Sequence, residues 1–241
     1  MAEEKKIYPS FHDISPREYM YFPKATIDPV KPGKFSKVEI THILISMIIL
    51  TFAFAIALPP NSILSGNFKL VDFPYYLLLS FLGIATAFLF HEMSHKFMAQ
   101  RYGLWAEYRM FPLGLILALI LSFTGFVFAA PGAVMFLGGS RDYETGKIAM
   151  AGPLTNIIIS IIILPLYVFV FFESTEISNI LNFIIVINLT LATFNLLPFG
   201  PLDGTKIIKW SATVWITMLI ISITLLVILF TGLPFLSTPS I

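Results

Sequence analysis

The chain has 241 residues, of which 57% are hydrophobic and only 12% are charged, and its mean hydropathy is +0.85. Soluble domains carry about 25% charged residues, so this composition excludes a soluble protein and indicates a membrane protein built from helices. The net charge of +1 indicates no nucleic-acid partner, and the absence of cysteine excludes disulfides and thiolate metal ligands.

Residues 1–39 are polar and rich in proline, and they hold many of the basic residues of the chain. This composition predicts a tail that lies on the membrane or on the body of the protein, because it is too poor in core residues to fold alone. The expected organisation is therefore an N-terminal tail over 1–39 and a transmembrane domain over 40–241.

Six apolar segments follow the tail. They cover about 40–58, 74–100, 113–137, 148–172, 178–198 and 212–231. The third is interrupted by Gly125 and Pro131, which permits it to enter the membrane and return to the same side. Within it, the run "PGAVMFLGG" at 131–139 predicts a short strand. The expected fold is an all-α polytopic membrane protein with about five or six transmembrane helices and a short membrane-embedded re-entrant β segment.

The distribution of basic residues distinguishes this re-entrant path from six simple crossings. Membrane proteins concentrate Lys and Arg on the cytoplasmic side. A re-entrant third segment leaves only Lys69 on the opposite side, whereas strict alternation also places there Arg141, Lys147, Lys206 and Lys209. The sequence therefore predicts a multi-pass protein of the cell membrane that follows the re-entrant path and has its N-terminus in the cytoplasm.

Three ionisable side chains lie in the second apolar segment, within "FLFHEMSHKFMAQ" at 88–100. His91 and His95 share one face of a helix, so both imidazoles can bind one metal ion. Glu92 can approach a metal-bound water without being a ligand itself. A polar cluster that only joins helices is the alternative interpretation, but ionisable groups at membrane depth are costly for that role alone.

A catalytic zinc site needs a third protein ligand and keeps one position open for water. Glu107 is the carboxylate that follows the motif, and His12 and His42 lie upstream. Asp203, in "NLLPFGPLDG", is the better candidate, because the neighbouring proline and glycine break the helix and can turn the carboxylate towards the bundle. An ordinary capping aspartate at the membrane surface is the alternative.

Three asparagines lie at membrane depth in the later segments. Asn156 follows a Gly-Pro pair in "AGPLTNIII", and Asn195 begins the "NLLPFGPLDG" stretch. Opened backbone at this depth is typical of a segment that lines a cavity, so these two asparagines are candidate site residues. Asn188 has no such break beside it and is expected to join helices through hydrogen bonds.

Taken in order, three motifs resemble the site-2 protease family of intramembrane zinc metalloproteases, the M50 type. They are His-Glu-Met-Ser-His at 91–95, Gly-Pro-Leu-Thr-Asn at 152–156 and Asn-Leu-Leu-Pro-Phe-Gly-Pro-Leu-Asp-Gly at 195–204. The resemblance covers about 74–210, the core of the transmembrane domain. Ser94 departs from the family pattern, in which many members have glycine.

The resemblance implies an intramembrane zinc metalloprotease with one Zn²⁺ per chain. The implied ligands are His91, His95 and Asp203. Glu92 would activate the water, while Asn156 and Asn195 would contact the substrate backbone or the developing oxyanion. The implied partners are transmembrane protein substrates in a lipid bilayer, and the sequence carries no signal for an oligomeric state.

A divalent-cation transporter or channel is the alternative function, because intramembrane His, Asp and Glu also line ion pathways. Such a pathway needs ionisable residues along its whole length. Here these residues concentrate at one depth, which favours the protease.

Overall fold

The computed structural model describes residues 33–58, 69–127, 130–137, 141–170 and 175–231, so most of the predicted tail, His12 included, lies outside the described residues. The described helices are α1 (Lys37–Ala57), α2 (Phe73–Ile84), α3 (Phe90–Arg101), α4 (Pro112–Ser122), α5 (Asp142–Pro165), α6 (Thr175–Asn195), α7 (Asp203–Trp210) and α8 (Ala212–Thr231). The strands are β1 (Trp105–Met110) and β2 (Gly132–Leu137).

Within the described residues, five helical stretches are long and apolar enough to cross a membrane. They are Lys37–Ala57, Leu70–Arg101, Asp142–Phe169, Glu176–Asn195 and Ala212–Thr231, with mean hydropathies from 1.8 to 2.6. The protein is therefore a polytopic, mostly helical membrane protein with a small two-stranded sheet, and the predicted fold class is confirmed.

The start of α1 lies inside the segment predicted as a tail. The Ser36 hydroxyl oxygen accepts a hydrogen bond from the Glu39 backbone N–H at 3.1 Å, which caps the first turn of the helix. Just before it, the Lys34 carbonyl accepts a hydrogen bond from Lys96 Nζ on α3 at 3.2 Å. Residues 33–39 therefore pack on the transmembrane domain.

The second span is one continuous helix with a π turn in its middle. α2 has Pro74 in its first turn, where a missing N–H leaves no hydrogen bond unmade. The π turn at Ala85–Leu89 joins α2 to α3 and ends just before the His-Glu-Met-Ser-His motif. A π turn adds one residue to a helical turn, so it changes the direction in which the following side chains face.

The segment between α3 and α5 enters the body of the protein and returns to the same end. β1 and β2 pair antiparallel, with Trp105 opposite Leu137 and Met110 opposite Gly132. Between them, α4 has only 11 residues and a length of about 16 Å, roughly half of the hydrocarbon core. The path agrees with the predicted re-entrant segment and not with a simple crossing.

β2 lies within the run predicted as a strand. It covers Gly132–Leu137, while the last two residues of the predicted 131–139 are outside the described part. Gly132 has a φ of +147°, and a Cβ at this position would overlap the Tyr108 hydroxyl of β1. The close approach of the two strands at this end therefore requires glycine.

Among the described residues, apolar side chains form two larger buried clusters and a smaller one where α3, β1 and α5 meet. The first joins α1, the second span, β1 and α4, and includes Met47, Leu50, Phe88, Tyr108 and Leu115. The second joins α5, α6, α7 and α8, and includes Ile157, Ala192, Leu196, Ile207 and Met218. α3 packs against α5 and connects the two halves of the bundle.

A buried ion pair, which the sequence did not predict, fixes β1 to α1 and α3. Lys96 Nζ contacts Glu39 Oε2, and both side chains are completely buried. The other Glu39 oxygen accepts a hydrogen bond from the Tyr108 N–H at 2.9 Å, and the Phe35 ring lies against the lysine. Because the loss of either partner would leave a buried charge unpaired, this contact strongly constrains the position of the sheet.

Candidate active site

The structure brings His91 and His95 of α3 next to Asp203 at the start of α7. Asp203 Oδ2 lies 3.4 Å from His91 Nε2 and 3.1 Å from His95 Nε2. The three side chains are buried, and their candidate ligand atoms lie within 4.8 Å of one another. Ligands bound at about 2.0–2.1 Å to a tetrahedral ion are about 3.3 Å apart, so this spacing suits one metal ion.

Hydrogen bonds on the far side of each imidazole orient the two rings. His95 Nδ1 donates to the Ile148 carbonyl of α5 at 2.7 Å, and His91 Nδ1 lies 2.6 Å from Asn156 Oδ1. Because a carbonyl oxygen only accepts, Nδ1 of His95 carries a hydrogen, which makes Nε2, the nitrogen that faces Asp203, the one available to a metal ion. Metal-binding histidines use this arrangement.

α5 leaves room for an ion because Gly152 faces the two imidazoles. A Cβ at this position would overlap the Nε2 atoms of both His91 and His95. The donor set also fits, since two imidazole nitrogens and one carboxylate oxygen are ligands that catalytic zinc sites use. The residues present therefore fit a zinc ion.

Asp203 is held by a close contact between the start of α7 and the end of α6. A Cβ on Gly204 would overlap the Leu196 carbonyl, so glycine permits this approach. Burial opposes the ionisation of Asp203, but the facing His95 and the Lys206 ammonium 3.7 Å away hold its pKa below the ordinary value. The side chain is therefore an anionic carboxylate.

Glu92 lies beside the three candidate ligands but is not among them. Its Oε2 accepts a hydrogen bond from the Val134 N–H of β2 at 3.0 Å. Val134 lies opposite Tyr108, whose own N–H bonds to Glu39, so these residues form a non-hydrogen-bonded pair. The Val134 N–H therefore points away from β1, and the free edge of β2 faces the site.

A cavity of about 450 Å³ extends over these groups. Its polar part contains His91, Glu92, His95 and Asp203. Its remaining wall is mostly apolar and is formed by α1, the second span, β2, α6 and the loop after α6, with Leu50, Phe54, Val134, Leu191 and Phe199 among the lining residues. The cavity suits a hydrophobic chain segment lying against the β2 edge.

The two asparagines predicted as substrate contacts occupy different environments. Asn195 lines the cavity. Asn156 is completely buried and lies behind the cavity wall, where its amide contacts His91, Ala87 and Asn188. This placement differs from the predicted substrate contact, because protein groups already use the whole amide.

The other candidate ligands named from the sequence lie apart from the group. Glu107 on β1 is buried in an ion pair with Arg109 and also accepts a hydrogen bond from the Ser36 hydroxyl at 3.0 Å. His42 Nδ1 on α1 accepts a hydrogen bond from the Met110 N–H at 3.4 Å. Both side chains hold β1 in place.

The fold and the site together define a class, the metalloproteases with several membrane-spanning helices. Residues 171–228 match the model of peptidase family M50. A "Putative zinc metalloprotease" of Methanocaldococcus jannaschii is 37% identical over 187 residues, covering 76% of this chain and 89% of that protein. One of Bacillus subtilis is 29% identical over 150 residues, covering 52% of this chain and 65% of that protein. No solved structure gives a significant match.

The chain belongs to peptidase family M50, and the resemblance to site-2 proteases is confirmed. The protein is a membrane metalloprotease, and zinc is its metal. This membership favours the protease over the cation transporter that the sequence left as an alternative.

Proposed function

We propose that this protein hydrolyses peptide bonds within or near the transmembrane segments of other membrane proteins, as in regulated intramembrane proteolysis. One observation carries the proposal: a His-His-Asp group and an adjacent glutamate share an apolar cavity with a free strand edge, among helices that can span a membrane. A soluble peptide needs no such apolar surroundings, whereas a transmembrane segment does.

In this proposal His91, His95 and Asp203 hold one zinc ion per chain. When bound, the ion supplies the Lewis acidity that lowers the pKa of a water molecule towards about 7 and polarises the scissile carbonyl. The spacing of the three side chains and the space left by Gly152 support this assignment.

Glu92 is the general base and then the general acid. It takes a proton from the attacking water and delivers it to the leaving amine. One of its oxygens is occupied by the Val134 N–H, which leaves the other available to the water. Its place in the polar part of the cavity supports this role.

The substrate must be extended locally before it can react, since a helical carbonyl is already bonded to an N–H four residues on. The free edge of β2 can pair with an unwound segment, which is β-augmentation. Asn195 lines the same cavity and would contact the backbone or the developing oxyanion of the substrate.

We place the N-terminus in the cytoplasm and the protein in the cell membrane, because the basic residues then lie almost entirely on the inner side. In this proposal the site lies towards the same side, because Asp203 contacts His91 and His95 and is followed by the basic residues Lys206 and Lys209. Residues 40–241 form the protease domain, with the core at 74–210, and residues 33–39 pack on it.

Cleavage in a bilayer tests the proposal. The purified protein is reconstituted in vesicles with a single-span membrane protein, with and without a zinc chelator. Cleavage within or beside the span should stop with the chelator and return on addition of Zn²⁺. Cleavage that persists in metal-free protein, or zinc flux without cleavage of any transmembrane substrate, would contradict the proposal.

A further inference from the structure

We infer that Asn156 is a positioning residue of the zinc site, which selects the tautomer of His91, and that Asn188 holds Asn156 in the orientation required. The inference rests on the proposed role of His91 as a zinc ligand. It assigns Asn156 to the metal rather than to the substrate, and it gives Asn188 a part in the site besides joining helices.

Backbone carbonyls determine which way the amide of Asn188 faces. The Ile184 carbonyl only accepts hydrogen bonds, so the atom 2.8 Å from it is Nδ2 of Asn188. The same nitrogen donates to the Thr86 hydroxyl at 3.2 Å. Both of its hydrogens are then used, and Oδ1 of Asn188 faces Nδ2 of Asn156 at 2.8 Å.

The acceptors around Asn156 fix the orientation of its amide in the same way. Its Nδ2 also donates to the Ala87 carbonyl at 2.9 Å, which again only accepts. With both nitrogen-bound hydrogens used, Oδ1 of Asn156 faces His91 Nδ1 at 2.6 Å. Nδ1 of His91 must therefore carry a hydrogen, and Nε2 is the ring nitrogen left for a metal ion.

This hydrogen-bonded chain makes the wrong tautomer costly. Asn156 and Asn188 are completely buried, so their hydrogen bonds act in a low dielectric and no water replaces a lost one. Turning the Asn156 amide over would place its oxygen against the Ala87 and Asn188 oxygens. It would also allow His91 to carry its hydrogen on Nε2, which cannot bind zinc.

The chain also holds the π turn that precedes the metal-binding motif. Thr86 and Ala87 both belong to this turn, and they bond to side chains of α6 and α5 respectively. These bonds fix the second span, α5 and α6 relative to one another just before His91.

Zinc affinity distinguishes a positioning role from substrate contact. Asn156→Leu should weaken zinc binding roughly 10- to 100-fold, the usual cost of losing a partner of a metal-binding histidine. Asn156→Asp should keep more affinity than Asn156→Leu, because a carboxylate still accepts from His91 Nδ1. Asn188→Leu should weaken binding less, by roughly threefold to tenfold, since Ala87 still holds Asn156. Affinity is measured by competition with a chelator.

Two controls accompany these variants. Ser160→Ala removes a buried hydrogen bond from the Ser160 hydroxyl to the Asn156 backbone carbonyl and leaves the amides intact, so its zinc affinity should equal that of the wild type. Asn195→Leu should lose cleavage while keeping zinc affinity, because Asn195 lines the cavity.

The ring nitrogens give a readout independent of activity. The chain has four histidines, so ¹⁵N-histidine labelling of the metal-free protein gives few signals. The signals that disappear in His91→Ala are assigned to His91. We expect the Nδ1–H form in the wild type and a mixture of tautomers in Asn156→Leu. If Asn156→Leu does not fold, Asn188→Leu provides the same two readouts, and Asn156→Asp serves as the variant that keeps the acceptor.

The outcomes separate this inference from the proposed function. Unchanged zinc affinity and an unchanged His91 tautomer in the folded leucine variants of Asn156 and Asn188 would overturn the inference. Unchanged zinc affinity in His91→Ala would instead overturn the ligand assignment on which it rests. If His91→Ala loses zinc and the asparagine variants do not, only the positioning role fails.

Discussion

At the scale of single residues, a hydrogen bond to β2 distinguishes Glu92 from the three candidate metal ligands. Its carboxylate binds the Val134 N–H at 3.0 Å, and the metal-binding group is complete without it. We therefore expect Glu92→Gln to abolish cleavage while bound zinc stays near one per chain, since glutamine keeps the shape and the accepting oxygen but cannot take a proton. Metal analysis of the purified variant checks this, and loss of zinc would make Glu92 a ligand.

Gly152 provides a test of where the metal lies. Because a Cβ at this position would overlap both imidazole Nε2 atoms, Gly152→Ala should reduce zinc binding by at least an order of magnitude and abolish cleavage with it. Ile158→Ala, on the exposed face of the same helix, is the matched control and should keep its zinc. A Gly152→Ala protein that retains zinc at wild-type affinity would place the metal elsewhere.

Residue spacing predicted some of these features and not others. The shared face of His91 and His95 follows from helical periodicity, which is local. The environment of Asn156 depends on how α5 and α6 pack against the π turn, and no pattern within one segment contains that information. Its position four residues after Gly152 was the available signal, because both then share the face of α5 that packs on α3.

At the scale of secondary-structure elements, β2 serves the site through alternate backbone groups. The Val134 N–H bonds to Glu92, whereas Ala133 lies in the pair with Arg109 that bonds across the sheet. Of these two residues only Ala133 donates within the ladder, so proline at Ala133 would remove a bond between the strands, whereas proline at Val134 would remove the bond to Glu92.

Proline substitutions test this role of β2. Val134→Pro should impair the cleavage of helical substrates by at least tenfold with little change in zinc binding, since it removes the N–H that holds Glu92. Ala133→Pro should have a similar effect through the ladder. Val134→Ala, which keeps the N–H, is the control for the side chain. Cleavage at the wild-type rate by Val134→Pro would show that cleavage requires neither the edge of β2 nor its bond to Glu92.

The element boundaries show the same division between local and tertiary information. Apolar length predicted the spans, and Gly125 and Pro131 predicted that the third segment turns back. The ion pair between Lys96 and Glu39 joins distant parts of the chain and could not be predicted from spacing. Lys96 also donates to the Lys34 carbonyl, so the same lysine holds the residues before α1 against the domain.

At the scale of the whole molecule, the re-entrant path determines which loops share a side of the membrane. The chain has no cysteine, so single cysteines can be introduced and labelled without a background. Positions Arg101, Arg141, Lys209 and Lys69 are exposed and can therefore be labelled. In the re-entrant path, cysteines at the first three should react from one side of the membrane and a cysteine at Lys69 from the other. If Arg101 and Arg141 react from opposite sides, the segment between α3 and α5 crosses the membrane and the re-entrant path is wrong.

In the proposed function His91, His95 and Asp203 would hold one zinc ion, and the cleavage of transmembrane substrates would depend on it. The most direct measurement is a zinc titration of the metal-free protein in vesicles that contain a transmembrane substrate. We expect cleavage to rise with added Zn²⁺ and to level off near one equivalent. Asp203→Ala should need much more zinc, while Glu107→Ala, if folded, should follow the wild type. Full cleavage before zinc is added, or a shifted titration for Glu107→Ala with none for Asp203→Ala, would contradict the account.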